Sequence, residues 1–161
     1  MKRIGILGVD TLTEKLIREL LQAEPEIQMF LSPGNSELAQ TLARELPCWT
    51  MDNHQAVINE VDVIIISVSA ATLKEISNCV QLHPSQTLVS LVPGIQSLTL
   101  RHLFRHSDCV RLKLAYSDRV NKSAVILTSA DNDIQRLFSP IGPVFVLAEE
   151  SDFDSTSISP L

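Results

Sequence analysis

The stretch IGILGVDTLTEKL, residues 4–16, decides the fold of this chain. Its first five residues form a short apolar run that ends in glycine, which is typical of a buried β-strand. Apolar residues then recur at helical spacing from Leu12 to Leu21, and Pro25 lies just beyond them. A strand, a glycine turn and a helix in this order have the layout of a dinucleotide-binding unit. We therefore expect the chain to begin with such a unit.

The alternation of strand and helix continues along the chain. Residues 63–66 are four consecutive β-branched residues without polar alternation, which indicates a strand covered on both faces. Further strands are predicted at residues 27–31, 48–50, 88–91, 110–114, 124–127 and 144–147, and further helices at residues 37–46, 71–80, 97–104 and 134–138. Strands separated by helices form βαβ units. We expect an α/β domain with a doubly wound, mostly parallel Rossmann-type sheet and helices on both faces.

Length and composition fit one domain with a short extension. The chain has 161 residues, of which 45% are hydrophobic, and a chain of this size buries a core without a metal or a disulfide. Residues 1–148 are predicted to be the dinucleotide-binding Rossmann domain. Residues 149–161 are acidic, rich in serine and without apolar periodicity, so we expect a frayed tail or the start of a linker.

Charge, hydropathy and cysteine usage exclude several classes of function. The net charge of -6 argues against a nucleic-acid partner, which needs a basic surface. No apolar run is long enough for a membrane span or a signal peptide, so we expect no membrane partner and a cytoplasmic location. The three cysteines form no CxxC motif, and His102 and His106 have arginines beside them instead of carboxylates, so no metal is expected.

The turn after the first strand departs from the Gly-x-Gly-x-x-Gly pattern. Residues 8–13 are GVDTLT, so only Gly8 remains, and Asp10 places a carboxylate where a phosphate approaches. Two like charges about 4 Å apart repel by roughly 1–4 kcal/mol. Thr11 and Glu14 also have the spacing of a capping box, which would use the amides that bind an anion. Two interpretations stay open: a remodelled nucleotide site, or an ordinary helix start in a fold that lost its ligand.

The end of the second strand is neither acidic nor basic. In dinucleotide-binding folds this position distinguishes the cofactors, an acidic residue favouring NAD and an arginine NADP. Residues 31–35 are LSPGN. Ser32 and Asn35 are able to hydrogen-bond a ribose or a phosphate, and they also suit a simple turn. His54 lies in a polar, loop-like stretch and is expected to have a surface role.

Several segments together resemble one enzyme family. They are KRIGILG at 2–8, FLSP at 30–33, DNH at 52–54, VDVIIISV at 61–68, LVSLVPGI at 88–95 and CVR at 109–111. In order and spacing they resemble the amino-terminal half of pyrroline-5-carboxylate reductase, the last enzyme of proline synthesis. The resemblance covers nearly the whole chain and carries a degenerate glycine motif.

The resemblance implies that this domain binds NADP or NAD, the small-molecule partner of an enzyme that reduces a cyclic imine by hydride transfer. It assigns no catalytic residue within the chain. The positions that it implies for the cofactor are Leu7, Gly8, Val9, Asp10, Thr11, Leu12, Ser32, Asn53, Ser67, Val68, Ser69, Ala70, Leu91, Pro93 and Gly94.

Departures from the family fall on the positions that contact ligands. A Lys-Pro pair of the family is replaced by Ser69 and Ala70, and its Met-Pro-Asn-Thr-Pro loop corresponds to residues 113–117, with Ala115 in place of the asparagine. The family also continues into a helical domain that completes the substrate site, and this domain is missing from the 161 residues. We therefore expect weak or no activity. The alternative is a non-catalytic Rossmann-fold protein that acts as a protein-binding or regulatory module; a homo-oligomer or a protein partner stays open.

Overall fold

The structure is a computed structural model that describes residues 2–105, 107–117, 122–147 and 149–155. The strands within these ranges are β1 (Arg3–Leu7), β2 (Gln28–Ser32), β3 (Cys48–Thr50), β4 (Val63–Ile66), β5 (Thr87–Ser90), β6 (Asp108–Ser117), β7 (Lys122–Leu127) and β8 (Val144–Val146). The helices are α1 (Thr11–Ala23), α2 (Glu37–Glu45), α3 (His54–Ile58), α4 (Ala70–Cys79), α5 (Ser97–Leu103), α6 (Asn132–Phe138) and α7 (Glu150–Ser155).

The strands form one sheet in the order β3-β2-β1-β4-β5-β6-β7-β8. Strands β1 to β6 all run parallel to one another. The direction of winding reverses between β1 and β4, and in open α/β sheets ligands bind outside the carboxyl ends of the strands at this point. The structure therefore confirms the predicted doubly wound, mostly parallel Rossmann-type fold.

The register brings the carboxyl ends of the parallel strands to one level. Leu7 of β1 pairs with both Ser32 of β2 and Ile66 of β4. Ile66 in turn pairs with Ser90 of β5, and Ser90 pairs with Arg111 of β6. We call this row of five residues and the loops that follow it the carboxyl edge. All the cofactor positions implied by the resemblance belong to strands or loops at this edge or to the starts of the helices behind it.

Helices cover both faces of the sheet. Ile65 packs in a buried cluster with apolar side chains of α1, α2 and α6, whereas its neighbour Ile64 packs in a second cluster with those of α3, α4 and α5. Both isoleucines are completely buried. Each such burial contributes roughly 1.5–3 kcal/mol. The run of β-branched residues in β4 is therefore explained by apolar contacts on its two sides.

The carboxyl-terminal third departs from the parallel pattern. Strand β7 runs antiparallel to β6, and β8 is parallel to β7. Strand β6 extends to Ser117, so the residues 113–117 that the resemblance assigns to a loop facing the substrate are here paired with β7.

Two helices were not predicted from the sequence. Helix α3 is a single short turn after β3, and α7 lies within the acidic stretch expected to be a frayed tail or a linker. Residues 150–155 are not frayed, because Phe153 is buried and two carboxylates of α7 pair with a buried arginine. The start of a linker stays a prediction. Residues 156–161 lie outside the described part of the chain, and the domain boundary at residue 148 stays a prediction. Within the described ranges, no helix has the length and apolarity needed to cross a membrane.

Candidate functional site at the carboxyl edge

Gly8 allows β1 and β4 to approach each other closely at the candidate site. Its φ is +91°, in the left-handed region that favours glycine. A Cβ atom at this position would lie 2.2 Å from the carbonyl oxygen of Ser67 and 2.7 Å from Cγ1 of Val68. The Gly8 N–H donates to the carbonyl of Ser32 at 2.9 Å. Gly8 thus makes the tight turn expected of the first glycine in a dinucleotide-binding motif.

Asp10 is the N-cap of α1, and it forms a capping box with Thr13. One carboxylate oxygen, Oδ1, accepts from the Thr13 N–H at 2.8 Å, and Thr13 Oγ1 accepts from the Asp10 N–H at 2.9 Å. The expected box between Thr11 and Glu14 is wrong by one residue at its start, because the backbone bends away from the helix at Asp10 and not at Thr11. Helix α1 therefore begins with one of its amides already bonded to a carboxylate of the chain itself.

The second carboxylate oxygen of Asp10 reaches across to β4. Ser67, the first residue after β4, donates from its hydroxyl to Oδ2 at 2.7 Å. The side chain of Asp10 is partly buried between the two strands. A negative charge is thus fixed at the amino terminus of α1, between β1 and β4, where a bound pyrophosphate would lie in a dinucleotide-binding fold.

Ser32 at the end of β2 is bonded to His54. The serine is completely buried, and its hydroxyl lies 2.6 Å from Nδ1 of His54, the first residue of α3. Burial lowers the pKa of His54 below its ordinary value. The predicted surface role of His54 is therefore wrong, because its ring is half-buried and bonded to β2. Asn35 is exposed, and Ser36 after it caps α2 by accepting from the Ala39 N–H at 3.1 Å.

Two more predicted cofactor positions are helix caps. Asn53 accepts from the Ala56 N–H at 2.8 Å, and Ser69 accepts from the Thr72 N–H at 3.1 Å. Both side chains are exposed at the carboxyl edge. Their hydrogen bonds stabilise the starts of α3 and α4, and such caps contribute typically about 1 kcal/mol each.

The predicted positions fall into two groups. The structure brings Gly8, Asp10, Ser67 and Val68 together, with Ser32 bonded to Gly8 through its backbone. The others stand at the end of β1 and in the loops and helix starts around this centre: Leu7, Val9, Thr11, Leu12, Asn53, Ser69, Ala70, Leu91, Pro93 and Gly94. Sequence reasoning missed His54, for which the only local signal was the capping asparagine before it.

The carboxylate of Asp10 opposes a pyrophosphate at the turn between β1 and α1. The turn, the glycine and the adjacent strands fit a dinucleotide, but the Asp10 carboxylate already bonds the start of α1 and would repel a phosphate there. The hydroxyl of Ser67 is turned to the same carboxylate.

A family model matches more than half of this chain. The model, described as NADP oxidoreductase coenzyme F420-dependent, matches residues 3–94. This range runs from β1 to the loop after β5 and includes every cofactor position that the resemblance implies, from Leu7 to Gly94.

Solved structures share the fold at low sequence identity. Pyrroline-5-carboxylate reductase from Streptococcus pyogenes is 21% identical with a TM-score of 0.78, and the match covers 95% of this chain and 60% of that one. The Plasmodium falciparum reductase with NADP bound is 16% identical with a TM-score of 0.76, covering 95% and 60%. A reductive aminase from Aspergillus terreus in complex with NADPH and ethyl levulinate is 11% identical with a TM-score of 0.73, covering 91% and 55%.

These matches confirm the predicted resemblance as a likeness of fold to the pyrroline-5-carboxylate reductases. The 161 residues span about 60% of the length of the two reductase structures.

Proposed function

The chain belongs to the family described as NADP oxidoreductase coenzyme F420-dependent, and from this premise we propose that it is the NAD(P)-binding domain of an oxidoreductase resembling pyrroline-5-carboxylate reductase. In this proposal NADP(H) lies at the carboxyl edge, across the boundary of β1 and β4. The domain binds the cofactor weakly and is inactive, or nearly so, by itself.

The bonding of Asp10 is the observation that supports weak binding of the cofactor. Its two carboxylate oxygens hold the Thr13 amide at 2.8 Å and the Ser67 hydroxyl at 2.7 Å. A pyrophosphate approaching α1 therefore meets a fixed negative charge and an amide that is already bonded. The expected penalty of roughly 1–4 kcal/mol weakens binding about 5-fold to 1000-fold without abolishing it.

The rest of the carboxyl edge supports a dinucleotide as the ligand. β1 and β4 are neighbours, and Gly8 keeps the turn between them tight. Residues 32–36 after β2 carry no acidic side chain, and an acidic residue there is the usual mark of NAD specificity. This supports NADP, the cofactor named in the description of the family.

The substrate and the pathway are further parts of the proposal. By its resemblance, the full activity is reduction of a cyclic imine in proline biosynthesis, in the cytoplasm. Ala115 stands where the family has an asparagine, and its methyl side chain forms no hydrogen bond to a substrate. Because hydride transfer requires donor and acceptor in close, fixed geometry, turnover depends on groups that these residues do not supply.

A second candidate function is a non-catalytic protein-binding or regulatory module. It is favoured by the intramolecular bonding of polar side chains at the carboxyl edge: Ser32 is bonded to His54, and Asn53 and Ser69 cap helices. In such a module these bonds serve only to stabilise the fold.

A titration with NADPH distinguishes the two candidates. We expect saturable enhancement of NADPH fluorescence with a dissociation constant near millimolar, and slower amide exchange at residues 8–14 and 67–70 when the cofactor is present. Exchange at β8, at the far edge of the sheet, should not change and serves as the internal control. Absence of both signals at millimolar NADPH would overturn the first candidate and leave the second.

A further inference from the structure

Arg111 is a buried cation whose charge is neutralised by α7. Its side chain is only 2% exposed. Nη1 of the guanidinium lies 2.7 Å from Oε2 of Glu150 and 2.8 Å from Oδ1 of Asp154. Both carboxylates belong to the same short helix, so the burial of Arg111 depends on α7 being in place.

Lys113 lies two residues after Arg111 on the same face of β6, and it contacts the same helix. Its Nζ donates to the carbonyl oxygen of Phe153 at 2.5 Å and lies 4.5 Å from the centre of the Phe153 ring. The guanidinium carbon of Arg111 lies 4.6 Å from the same ring, and Phe153 is 1% exposed. Two cations thus hold α7 against β6, and each of them also contacts the ring of Phe153.

These contacts lie at the carboxyl edge. Arg111 pairs with Ser90, the last residue of β5. Glu150 also accepts, through Oε1, from the N–H of Ser97 at the start of α5. Helix α7 therefore covers the β5–β6 side of the edge, the region in which open α/β sheets bind their ligands.

The guanidinium is only partly satisfied by α7. Both ion pairs are made by Nη1, whereas Nε is buried without a hydrogen-bond partner. A buried donor without a partner is unfavourable. After α7 has left, an oxyanion that bonds two N–H groups of the guanidinium, Nε among them, would satisfy it, and bidentate bonding is the arrangement that arginine prefers with carboxylates and phosphates.

Helix α7 is too short to be stable away from the sheet. It has six residues, and isolated helices of that length do not persist in water. When α7 leaves, Arg111 and Lys113 become hydrated and accessible instead of buried and unpaired. The two cations are therefore accessible only when α7 is not docked on the sheet.

We propose that α7 is a releasable segment that occupies a binding site for a small oxyanion, a carboxylate or a phosphate group, formed by Arg111 and Lys113 at the carboxyl edge. Its acidic side chains take the place of the ligand, and the ligand displaces them. This site is separate from the β1–α1 turn, so it does not depend on NADP(H) binding there.

Amide exchange of the full chain in three salts tests the proposal. Sodium phosphate, sodium acetate and sodium chloride are compared at equal ionic strength, with the exchange of residues 149–155 as the readout. The amide of Phe153, bonded to the carbonyl of Glu149 at 3.1 Å, reports directly on α7. We expect phosphate or acetate to speed this exchange about tenfold relative to chloride. Whichever anion acts identifies the group, and equal exchange in all three salts would overturn the proposal.

Substitutions test whether the anion binds at Arg111 and Lys113. Neutralising the helix with Glu150→Gln and Asp154→Asn should speed exchange of residues 149–155 in chloride and tighten binding of the effective anion in calorimetry. Glu149→Gln is the matched control, since it removes one charge from an exposed position just before α7. Lys113→Gln should weaken binding of the effective anion. Unchanged anion affinity in both Lys113→Gln and the double variant would overturn the assignment of the anion to these two cations. If the double variant fails to fold, the comparison of the three salts on the unmodified chain tests the proposal by itself.

Discussion

The carboxylate of Asp10 and the hydroxyl of Ser67 are joined by a 2.7 Å hydrogen bond that connects the start of α1 with the end of β4. Together with the capping bond to Thr13, it uses both oxygens of the carboxylate. The bond fixes a negative charge at the point of the fold where dinucleotide-binding proteins hold a pyrophosphate. The same residue thus stabilises the domain and opposes the ligand expected of its family.

The hydrogen bonds of Asp10 predict that two substitutions at this position differ in their effect on the free energy of unfolding. Asp10→Ala removes the cap and the bond to Ser67, and should lower the free energy of unfolding by about 1–2 kcal/mol. Asp10→Asn keeps an oxygen for the Thr13 amide and a hydrogen-bonding group for Ser67, and should cost less than about 0.5 kcal/mol, because asparagine caps helices as well as aspartate does. Urea denaturation measures both. Equal losses in the two variants would show that the charge, and not the bonding geometry, stabilises the turn.

The two glycines with positive φ should respond differently to alanine. Gly8 and Gly94 have φ values of +91° and +79°. An alanine at Gly94 meets no atom within 4 Å, so Gly94→Ala should cost only the backbone strain of about 1–2 kcal/mol. Gly8→Ala adds a collision with the Ser67 carbonyl at 2.2 Å and should cost several kcal/mol more, or prevent folding. Thermal unfolding of the pair makes the comparison, and a cost at Gly8 no larger than at Gly94 would contradict the close approach of β1 and β4.

The half-buried ring of His54 predicts a loss of stability in mild acid. Burial lowers the pKa of His54 from its ordinary 6.5, so the unfolded chain binds the proton more readily than the folded one. Stability from this group is therefore complete above pH 6.5 and is lost as the pH falls from there towards the pKa of the folded state.

Comparison with His54→Gln isolates this effect. Unfolding free energies of the unmodified chain and the variant are measured from about pH 7.5 to about pH 5, and the advantage of the unmodified chain should shrink as the pH falls. His83→Gln, at an exposed histidine, is the control for the replacement of a histidine by glutamine. A constant difference in unfolding free energy between the unmodified chain and His54→Gln would mean that the ring of His54 is less shielded from water than the structure shows.

Local patterns were enough to predict the sheet. The run Val63–Ile66 predicted β4 with its exact bounds because apolar contacts on both faces leave no place for polar residues. The replacement of a glycine by Asp10 was also sufficient to predict a carboxylate at the phosphate position. The register of the cap was not predictable, because Thr11 with Glu14 fits the spacing of a capping box as well as Asp10 with Thr13 does.

Contacts between distant residues were beyond the sequence. Ser32 and His54 are 22 residues apart, and each suits its local surroundings as a turn residue or a loop residue. Arg111 and Glu150 are 39 residues apart, and ion pairs and cation–π contacts have no periodic signature. The acidic stretch that contains α7 therefore has the composition of a tail although it packs on the sheet.

We expect the charge of Asp10 to oppose binding of a pyrophosphate at the start of α1. The most direct measurement is the dissociation constant of NADPH for the unmodified chain and for Asp10→Asn, with Glu14→Gln as the control. Glu14→Gln removes a charge of the same helix turn that is paired with Arg18 at 2.9 Å. We predict that Asp10→Asn tightens NADPH binding about 5-fold or more while Glu14→Gln leaves it unchanged. Equal affinity in the unmodified chain and Asp10→Asn would contradict the account.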